Sequence, residues 1–159
     1  MFSLSEISDR LEIQQLMTIY SNAIDRREFD RLDGVFTPDA YIDYRAMGGI
    51  DGSYPVIKAW LGPALQWFPK YYHLVANTEV SISGDTATSR TVCFNPMEVP
   101  LPQGGSQVMF LGLWYIDKLV RTGDGWRISE RVQEAGFQHN VPAHVRAAAE
   151  GADSRDRGS

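Results

Sequence analysis

Cysteine is almost absent from this sequence, because Cys93 is the only one among 159 residues. A single thiol excludes the intramolecular disulfide framework that stabilises many small secreted domains. Long apolar runs are also absent: the longest, Val108 to Ile116, has nine residues, whereas a membrane span requires about 20. The amino-terminal stretch MFSLSEISDR has neither the positively charged nor the apolar region of a secretory signal. These absences predict a cytoplasmic protein that makes no contact with a membrane.

Basic residues are in the minority, with 15 lysines and arginines against 20 aspartates and glutamates and a formal net charge of -5. They are scattered along the chain, which argues against a nucleic-acid partner and favours a small neutral substrate. His139 and His144 lie five residues apart with no third ligand at metal spacing, so no metal site is predicted. The sequence also lacks a phosphate-binding loop, a dinucleotide fingerprint and a nucleophile elbow. We therefore expect no cofactor.

The residues that are present predict one domain over residues 1–140, since 43% of the sequence is hydrophobic and can fill a core. Ser3 and Glu6 fit a helix capping box. Apolar residues then recur at three- and four-residue spacings and predict a first helix: Ile13, Leu16, Met17, Tyr20, Ala23 and Ile24.

Shorter elements are predicted between this helix and the later strands. A second short helix around residues 29–36 should end before Pro38, and a short strand follows at 41–44. Ser53 and Pro55 signal the start of a third helix, with a break or kink at Gly62-Pro63.

From residue 71 onward the pattern is typical of strands, at about 72–83, 87–97, 106–120 and 126–136. Glycine-containing turns separate them, which predicts antiparallel hairpins. Beyond the last strand we expect a short helix at 141–150, and the polar residues 151–159 predict a disordered tail.

In the third long strand, from Val108 to Ile116, both alternating sets of residues are apolar, so both faces of this strand should be covered. Helices can cover one face, and a second copy of the sheet is the simplest cover for the other, which predicts a homodimer. Another partner for this apolar patch remains an alternative. A charge placed in the stretch, as in Leu113→Glu, is expected to cause aggregation or a destabilised monomer, because an ion would be buried without a partner.

Candidate catalytic residues lie at two separated places. Asp25 follows the first helix and His73 opens the first long strand. A carboxylate that faces an imidazole is the smallest set of side chains needed to transfer a proton. Tyr20 and Tyr44 offer phenols that could polarise a carbonyl. From the residues alone, the favoured interpretation of His73 is a strand histidine that shares a face with Val75, Asn77, Glu79 and Ser81. The favoured interpretation of Asp25 is a solvated surface carboxylate.

A family resemblance connects these residues. The segment YSNAIDRREFDRL and the strand ending IDYR resemble scytalone dehydratase, and HLVANTEVSISGDTATSR and GDGWRISE resemble the SnoaL-like branch of the nuclear-transport-factor-2-like superfamily. The resemblance covers most of residues 4–137. It implies an α+β fold in the order α-α-β-α-β-β-β-β, with a cone-shaped, strongly bent antiparallel sheet around a helix-lined pocket.

The resemblance also implies roles for single residues. In the dehydratases and the dehydrochlorinase of this branch an aspartate after the first helix pairs with a histidine, and those positions carry Asp25 and His73 here. Tyr44 stands in the same IDYR context, and Tyr20 stands where the bile-acid dehydratase has a tyrosine. Ile24 replaces a tyrosine of scytalone dehydratase, and its second histidine falls near Met97. These departures argue against scytalone itself as the substrate.

Two classes of function follow from the sequence and the resemblance. The first is a cofactor-free lyase or isomerase that removes a proton α to a carbonyl of a small apolar, aromatic or polyketide-like molecule; dehydration is preferred, and aldol cyclisation by a polyketide cyclase is the alternative. The second is a non-catalytic module for ligand binding or assembly, because a fold does not fix a function.

Overall fold

The computed structural model describes residues 1–147. Helix α1 spans Leu4–Asp25, and the Ser3 hydroxyl caps it by accepting the Glu6 N–H at 3.2 Å, as the sequence predicts. One face of α1 is buried along its length, and this face carries Ile13, Tyr20 and the other apolar residues that predicted the helix.

The connection from α1 to the sheet differs from the prediction. A short 3₁₀ helix spans Phe29–Gly34, and strand β1 runs from Phe36 to Asp43, so it begins before Pro38. Proline is tolerated there because the pairing of β1 is irregular between Phe36 and Tyr41, and no regular ladder bond is interrupted.

Helix α2 follows the short strand β2, which spans Asp51–Ser53. It runs from Tyr54 to Leu65 with Ser53 at its N-cap. Of the predicted break or kink at Gly62-Pro63, the break does not occur, because the helix continues through both residues. Pro63 leaves the Ala59 carbonyl without an intrahelical donor, but both residues are exposed, so water can satisfy that carbonyl.

The four long strands are β3 (Leu74–Ser83), β4 (Thr86–Pro100), β5 (Ser106–Thr122) and β6 (Gly125–His139). They form one six-stranded sheet in the order β2-β1-β6-β5-β4-β3. All neighbouring strands are antiparallel except β1 and β6, which are parallel. The predicted α+β class and the order of elements are confirmed, and the parallel pair makes the sheet mixed.

The sheet bends around α1. This helix packs against both β3 and β6, although β4 and β5 separate those two strands in the sheet. The main apolar core lies between the helix and the concave face of the sheet, and it includes the fully buried Trp126 and Ile128. The interior of this cone is where the candidate residues meet.

The apolar stretch of β5 divides between two faces. Leu111, Leu113 and Tyr115 are buried on the concave face, whereas Val108 is 42% exposed on the convex face. The choice of Leu113 as a convex-face position was therefore wrong, because a charge at Leu113 would enter the core. The homodimer through the convex face stays a prediction.

Aromatic side chains cluster on this convex face. Phe94 stacks on Phe110 with ring centroids 5.7 Å apart and lies 6.4 Å from Phe137. Phe94 and Phe137 remain 37% and 55% exposed. An exposed aromatic cluster of this kind is typical of an interface.

The end of the described chain follows β6. Residues 143–147 are helical and Val141 and Val145 pack against the interior, while the rest of the predicted helix 141–150 and the tail 151–159 lie outside the described residues. Within residues 1–147, no helix is long and apolar enough to cross a membrane.

We predict that Phe94→Glu converts a dimer into a monomer without unfolding it. The new charge is hydrated on an isolated chain but would be buried without a partner in the dimer. Sedimentation at micromolar concentration measures the change, and Val56→Glu, at a 51% exposed position on α2, is the matched control. A wild-type protein that sediments as a monomer would contradict the prediction.

Candidate functional site

Asp25 is the last residue of α1, and the way in which the helix ends exposes its carboxylate to the rest of the site. The Glu28 N–H bonds to the Ala23 carbonyl at 2.8 Å and the Arg27 N–H to the Ile24 carbonyl at 3.0 Å. This is the Schellman pattern, in which a left-handed residue, usually glycine, follows the helix cap. Here that residue is Arg27, with φ of 59°. The chain therefore turns away sharply, and Asp25 faces the start of β3.

His73 and Asp25 are in direct contact. Asp25 accepts the backbone N–H of His73, at 3.1 and 3.0 Å from its two oxygens, and Oδ1 lies 2.7 Å from the ring atom Nδ1. Because a carboxylate only accepts hydrogen bonds, the proton of the neutral ring lies on Nδ1. No group within residues 1–147 bonds to Nε2, which is therefore the atom available to take a proton. The predicted pair is present in the structure, and its catalytic role stays a prediction.

A β-bulge turns His73 toward the interior. Ala76 pairs with Val92 and Thr78 with Thr91, so Asn77 is an extra residue in β3, and its φ is 40°. One extra residue reverses the alternation of side chains along a strand. The alternative in which His73 shares a face with Val75, Asn77, Glu79 and Ser81 is therefore wrong for the last three of these residues. Val75, which precedes the bulge, lies on the same side as His73, and after the bulge this side is continued by Val80 and Ile82.

The two candidate phenols meet each other beside the histidine. The hydroxyl groups of Tyr20 and Tyr44 are 2.8 Å apart and buried. The Tyr20 ring lies edge-on to His73 with centroids 6.4 Å apart, and Tyr71 packs edge-on against His73 at 6.1 Å. The structure thus brings Asp25, His73, Tyr20 and Tyr44 into one continuous group.

Sequence reasoning missed a buried ion pair behind these phenols. Arg131 donates through Nε and Nη2 to the two oxygens of Asp117, at 2.7 and 2.8 Å, and both side chains are fully buried. The guanidinium stacks over Tyr20 and Tyr115 at 4.2 and 4.1 Å from the ring centroids. Its Nη1 is buried and has no hydrogen-bond partner among the described residues.

A second bulge explains why this pair was missed. Leu119 pairs with Ile128 and Lys118 with Glu130, so Ser129 is extra in β6 and simple alternation from Trp126 places Arg131 outside. Asp117 did carry a signal, because it has the same parity as the inward-facing Tyr115 on an apolar strand.

Burial and the Arg131 charge together set the protonation of the phenols. Burial raises the pKa of Tyr20, Tyr44 and Tyr115 above the ordinary value, and Arg131 offsets only part of that increase. Desolvation acts to lower the pKa of Arg131, but the Asp117 carboxylate outweighs it and keeps the pKa raised. Neutral phenols backed by a fixed cation are suited to donating hydrogen bonds to a developing negative charge.

An apolar cluster borders the site on the side where the described chain ends, near Val141. It is formed by buried residues of β4, β5 and the end of the described chain, Met97, Val99, Met109, Leu111 and Val141. Met47, Leu65 and Tyr71 pack against both this cluster and the main core. The cluster therefore offers an apolar wall to a ligand that reaches His73.

A cleft of about 530 Å³ opens beside the pair on the Asp25 side. It is lined by Asp25, Arg27, Gln66, Pro69, Lys70, Tyr71 and Tyr72, and His73 is not part of its wall. A ligand that fills this cleft therefore meets Asp25 rather than His73.

The chain resembles known proteins along most of its length. Residues 5–132 match the family model described as a SnoaL-like domain. The uncharacterised protein Rv2910c of Mycobacterium tuberculosis is 61% identical over 138 residues, which cover 87% of this chain and 92% of that protein.

Solved structures share the fold. A candidate scytalone dehydratase of Novosphingobium aromaticivorans superposes with a TM-score of 0.74 at 18% identity, covering 86% of this chain and 90% of that one. A hexachlorocyclohexane dehydrochlorinase, LinA type 2, also has a TM-score of 0.74, at 17% identity, covering 88% of this chain and 93% of that one. At these identities the likeness shows the fold alone.

We predict that Arg131→Met strongly destabilises the protein, because it leaves the Asp117 carboxylate buried without a partner. The expected loss in free energy of unfolding is about 3–5 kcal/mol. The double variant Arg131→Met/Asp117→Leu should recover most of that loss, since it removes both charges. Urea unfolding of wild type and both variants measures this, and equal losses in the single and double variants would contradict it.

We also predict that Cys93 is unreactive in the folded protein. Burial raises the pKa of its thiol to about 11, and the thiolate is the reactive form. At pH 8 its alkylation by iodoacetamide should be at least about 100-fold slower than that of an exposed cysteine, and it should accelerate as the pH approaches the raised pKa. The same protein in denaturant is the control, and rapid stoichiometric labelling of the native protein would contradict the prediction.

Proposed function

The chain belongs to the SnoaL-like domain family, and from that premise we propose that it is a cofactor-free lyase or isomerase in which His73 removes a proton α to a carbonyl. The observation that carries the proposal is the geometry of the pair. Asp25 occupies both the backbone N–H and Nδ1 of His73, which leaves Nε2 as the single ring atom able to accept a proton.

The first step divides the work between Asp25 and His73. Nε2 takes the α-proton, the C–H electron pair forms the carbon–carbon double bond of the enolate, the π pair of the carbonyl moves to its oxygen, and the ring becomes an imidazolium. Asp25 holds the ring in one tautomer and stabilises the positive charge that develops on it. The carboxylate is only 23% exposed on its side chain, so water screens this interaction incompletely.

In this proposal the phenols stabilise the negative charge on the enolate oxygen by hydrogen bonding. If Tyr44 donates to the Tyr20 oxygen, the Tyr20 proton is free to bond to the enolate oxygen. Both phenols are neutral because burial raises their pKa values, and the Arg131 cation over the Tyr20 ring makes that hydroxyl a stronger donor.

Dehydration is the outcome that we prefer for a substrate with a β-hydroxyl group. The enolate electrons form the α,β double bond, the C–O bond breaks, and the imidazolium returns its proton to the departing hydroxide to form water. Two structural neighbours are named a dehydratase and a dehydrochlorinase, and both names denote eliminations. Aldol cyclisation of a polyketide-like chain is the alternative, since it needs the same enolate. The apolar wall of Met97 and Leu111 suits a small apolar or aromatic body in either case.

A non-catalytic binding module is the second candidate. It is favoured by the cleft, whose wall contains Asp25 but not His73. It is also favoured by Ile24, where scytalone dehydratase has a tyrosine, and by Met97, near which the second histidine of scytalone dehydratase falls. The cytoplasmic location expected from the sequence remains part of either proposal.

We predict that His73→Ala abolishes exchange of substrate α-hydrogen with deuterated water, measured by proton NMR on a panel of β-hydroxy ketones and β-hydroxy thioesters. The loss should be about 10²–10⁴-fold. Asp25→Asn should lose a large fraction too, and the two losses should not add, because the residues act as one unit.

His139→Ala is the matched control, because His139 is exposed at the end of β6, where its ring packs on Phe110. It should exchange at the wild-type rate. Exchange at the wild-type rate in His73→Ala would reject the catalytic role, and exchange with no panel member in wild type would favour the binding module.

A further inference from the structure

The cleft beside Asp25 carries more positive charge than the composition of the chain suggests. Its wall contains Arg27 and Lys70, and its one carboxylate, Asp25, already accepts bonds from His73. The protein as a whole is acidic, with a formal net charge of -5. Two cations that face one cleft on an acidic protein are a local feature that net charge conceals.

Arg27 is held rigidly at the edge of this cleft. Its Nε bonds to the Tyr71 hydroxyl at 3.3 Å, and its Nη2 bonds to the carbonyls of Leu65 and Phe68 at 3.2 and 2.9 Å. The guanidinium also lies over the Tyr71 ring, 5.6 Å from its centroid. These contacts use Nε and Nη2, so Nη1 remains available to a ligand.

The backbone of Arg27 gives an independent reason to assign it a role. With φ of 59° it occupies the left-handed position where helices usually place glycine, which is strained for a residue with a Cβ. Such strain persists where the side chain is needed, and the Arg27 side chain joins the ends of α1 and α2 at the cleft.

Neither cation has an anionic partner within residues 1–147. Lys58 and Lys118, the other two lysines, each bind a carboxylate, at 2.8 and 2.9 Å, whereas Lys70 does not. The Lys70 backbone is fixed, because its carbonyl accepts the Glu98 N–H at 2.7 Å. Arg27 meets only neutral oxygens. The cleft therefore presents two cations that bind no carboxylate, and together with the single Asp25 carboxylate they give its wall a net charge of +1.

We propose that this cleft binds a substrate carrying an anionic oxygen group, a carboxylate or a phosphate, through Arg27 and Lys70. The proposal rests on the proposed function and refines the substrate class: an apolar body extends toward His73 while the anionic end stays in the cleft. It replaces the neutral substrate that net charge predicted, because recognition depends on the local field.

Binding of simple aromatic probes tests this without turnover. Benzoate, phenyl phosphate and neutral benzamide are titrated into the full chain at low ionic strength, and Kd is measured by calorimetry and by the ¹⁵N shifts of Lys70 and its neighbours. Both anions should bind at least about 10-fold more tightly than benzamide, and added salt should weaken only the anions. The stronger of the two anions distinguishes carboxylate from phosphate.

Lys70→Gln should weaken anion binding about 10-fold, and Arg27→Lys, which keeps the charge but loses the contacts to Leu65 and Phe68, should weaken it less than Arg27→Gln. Arg26→Gln is the matched control: it removes the same charge one residue away, from a side chain that does not line the cleft. Benzamide binding should be the same in every variant.

Equal weakening by Lys70→Gln and Arg26→Gln would overturn the proposal, because overall charge alone would then explain the result. Absence of any preference for the anions over benzamide would overturn it as well. Anion binding should persist in His73→Ala, since that residue is not part of the cleft wall. Loss of proton exchange in that variant with anion binding intact therefore separates this inference from the catalytic proposal.

Discussion

The ion pair between Arg131 and Asp117 is the interaction on which the interior depends. Both residues lie at the centre of the cone with no exposure to water, so neither charge is stable without the other. Asp117 occupies the two donors Nε and Nη2, which fixes the plane of the guanidinium. Tyr20 and Tyr115 then pack on that plane, and the Tyr20 hydroxyl is thereby placed against Tyr44.

The position of Tyr20 on the Arg131–Asp117 pair also affects His73. Tyr20 belongs to α1 and contacts the His73 ring, while Asp25 at the end of the same helix binds His73 directly. One helix therefore positions both the carboxylate and the phenol, and the buried cation contacts that helix at Tyr20 and Met17. A site assembled in this way has little freedom to adjust to a substrate, which suits preorganised electrostatic stabilisation.

The sequence predicted those features that depend on local chemistry. Ser3 and the three- and four-residue spacing of apolar residues located α1, and the glycine-containing turns located the four long strands. The family resemblance supplied the pairing of Asp25 with His73, which spacing could not, because 48 residues separate them. What failed depended on long-range pairing: β1 was shortened because its parallel partner β6 comes late in the chain. Leu113 was misplaced because an apolar strand gives no sign of which face is inward.

The bulges at Asn77 and Ser129 each add one residue to a strand and thereby reverse which of its side chains point inward. His73 and Arg131 point inward because each is separated from the regular part of its strand by one extra residue. Substitutions along β3 and β6 leave the inward direction of these two side chains unchanged, whereas the loss or gain of one residue between a bulge and the site reverses it. An insertion or deletion of two residues there would preserve the inward direction, so strand length constrains this group of side chains as firmly as residue identity does.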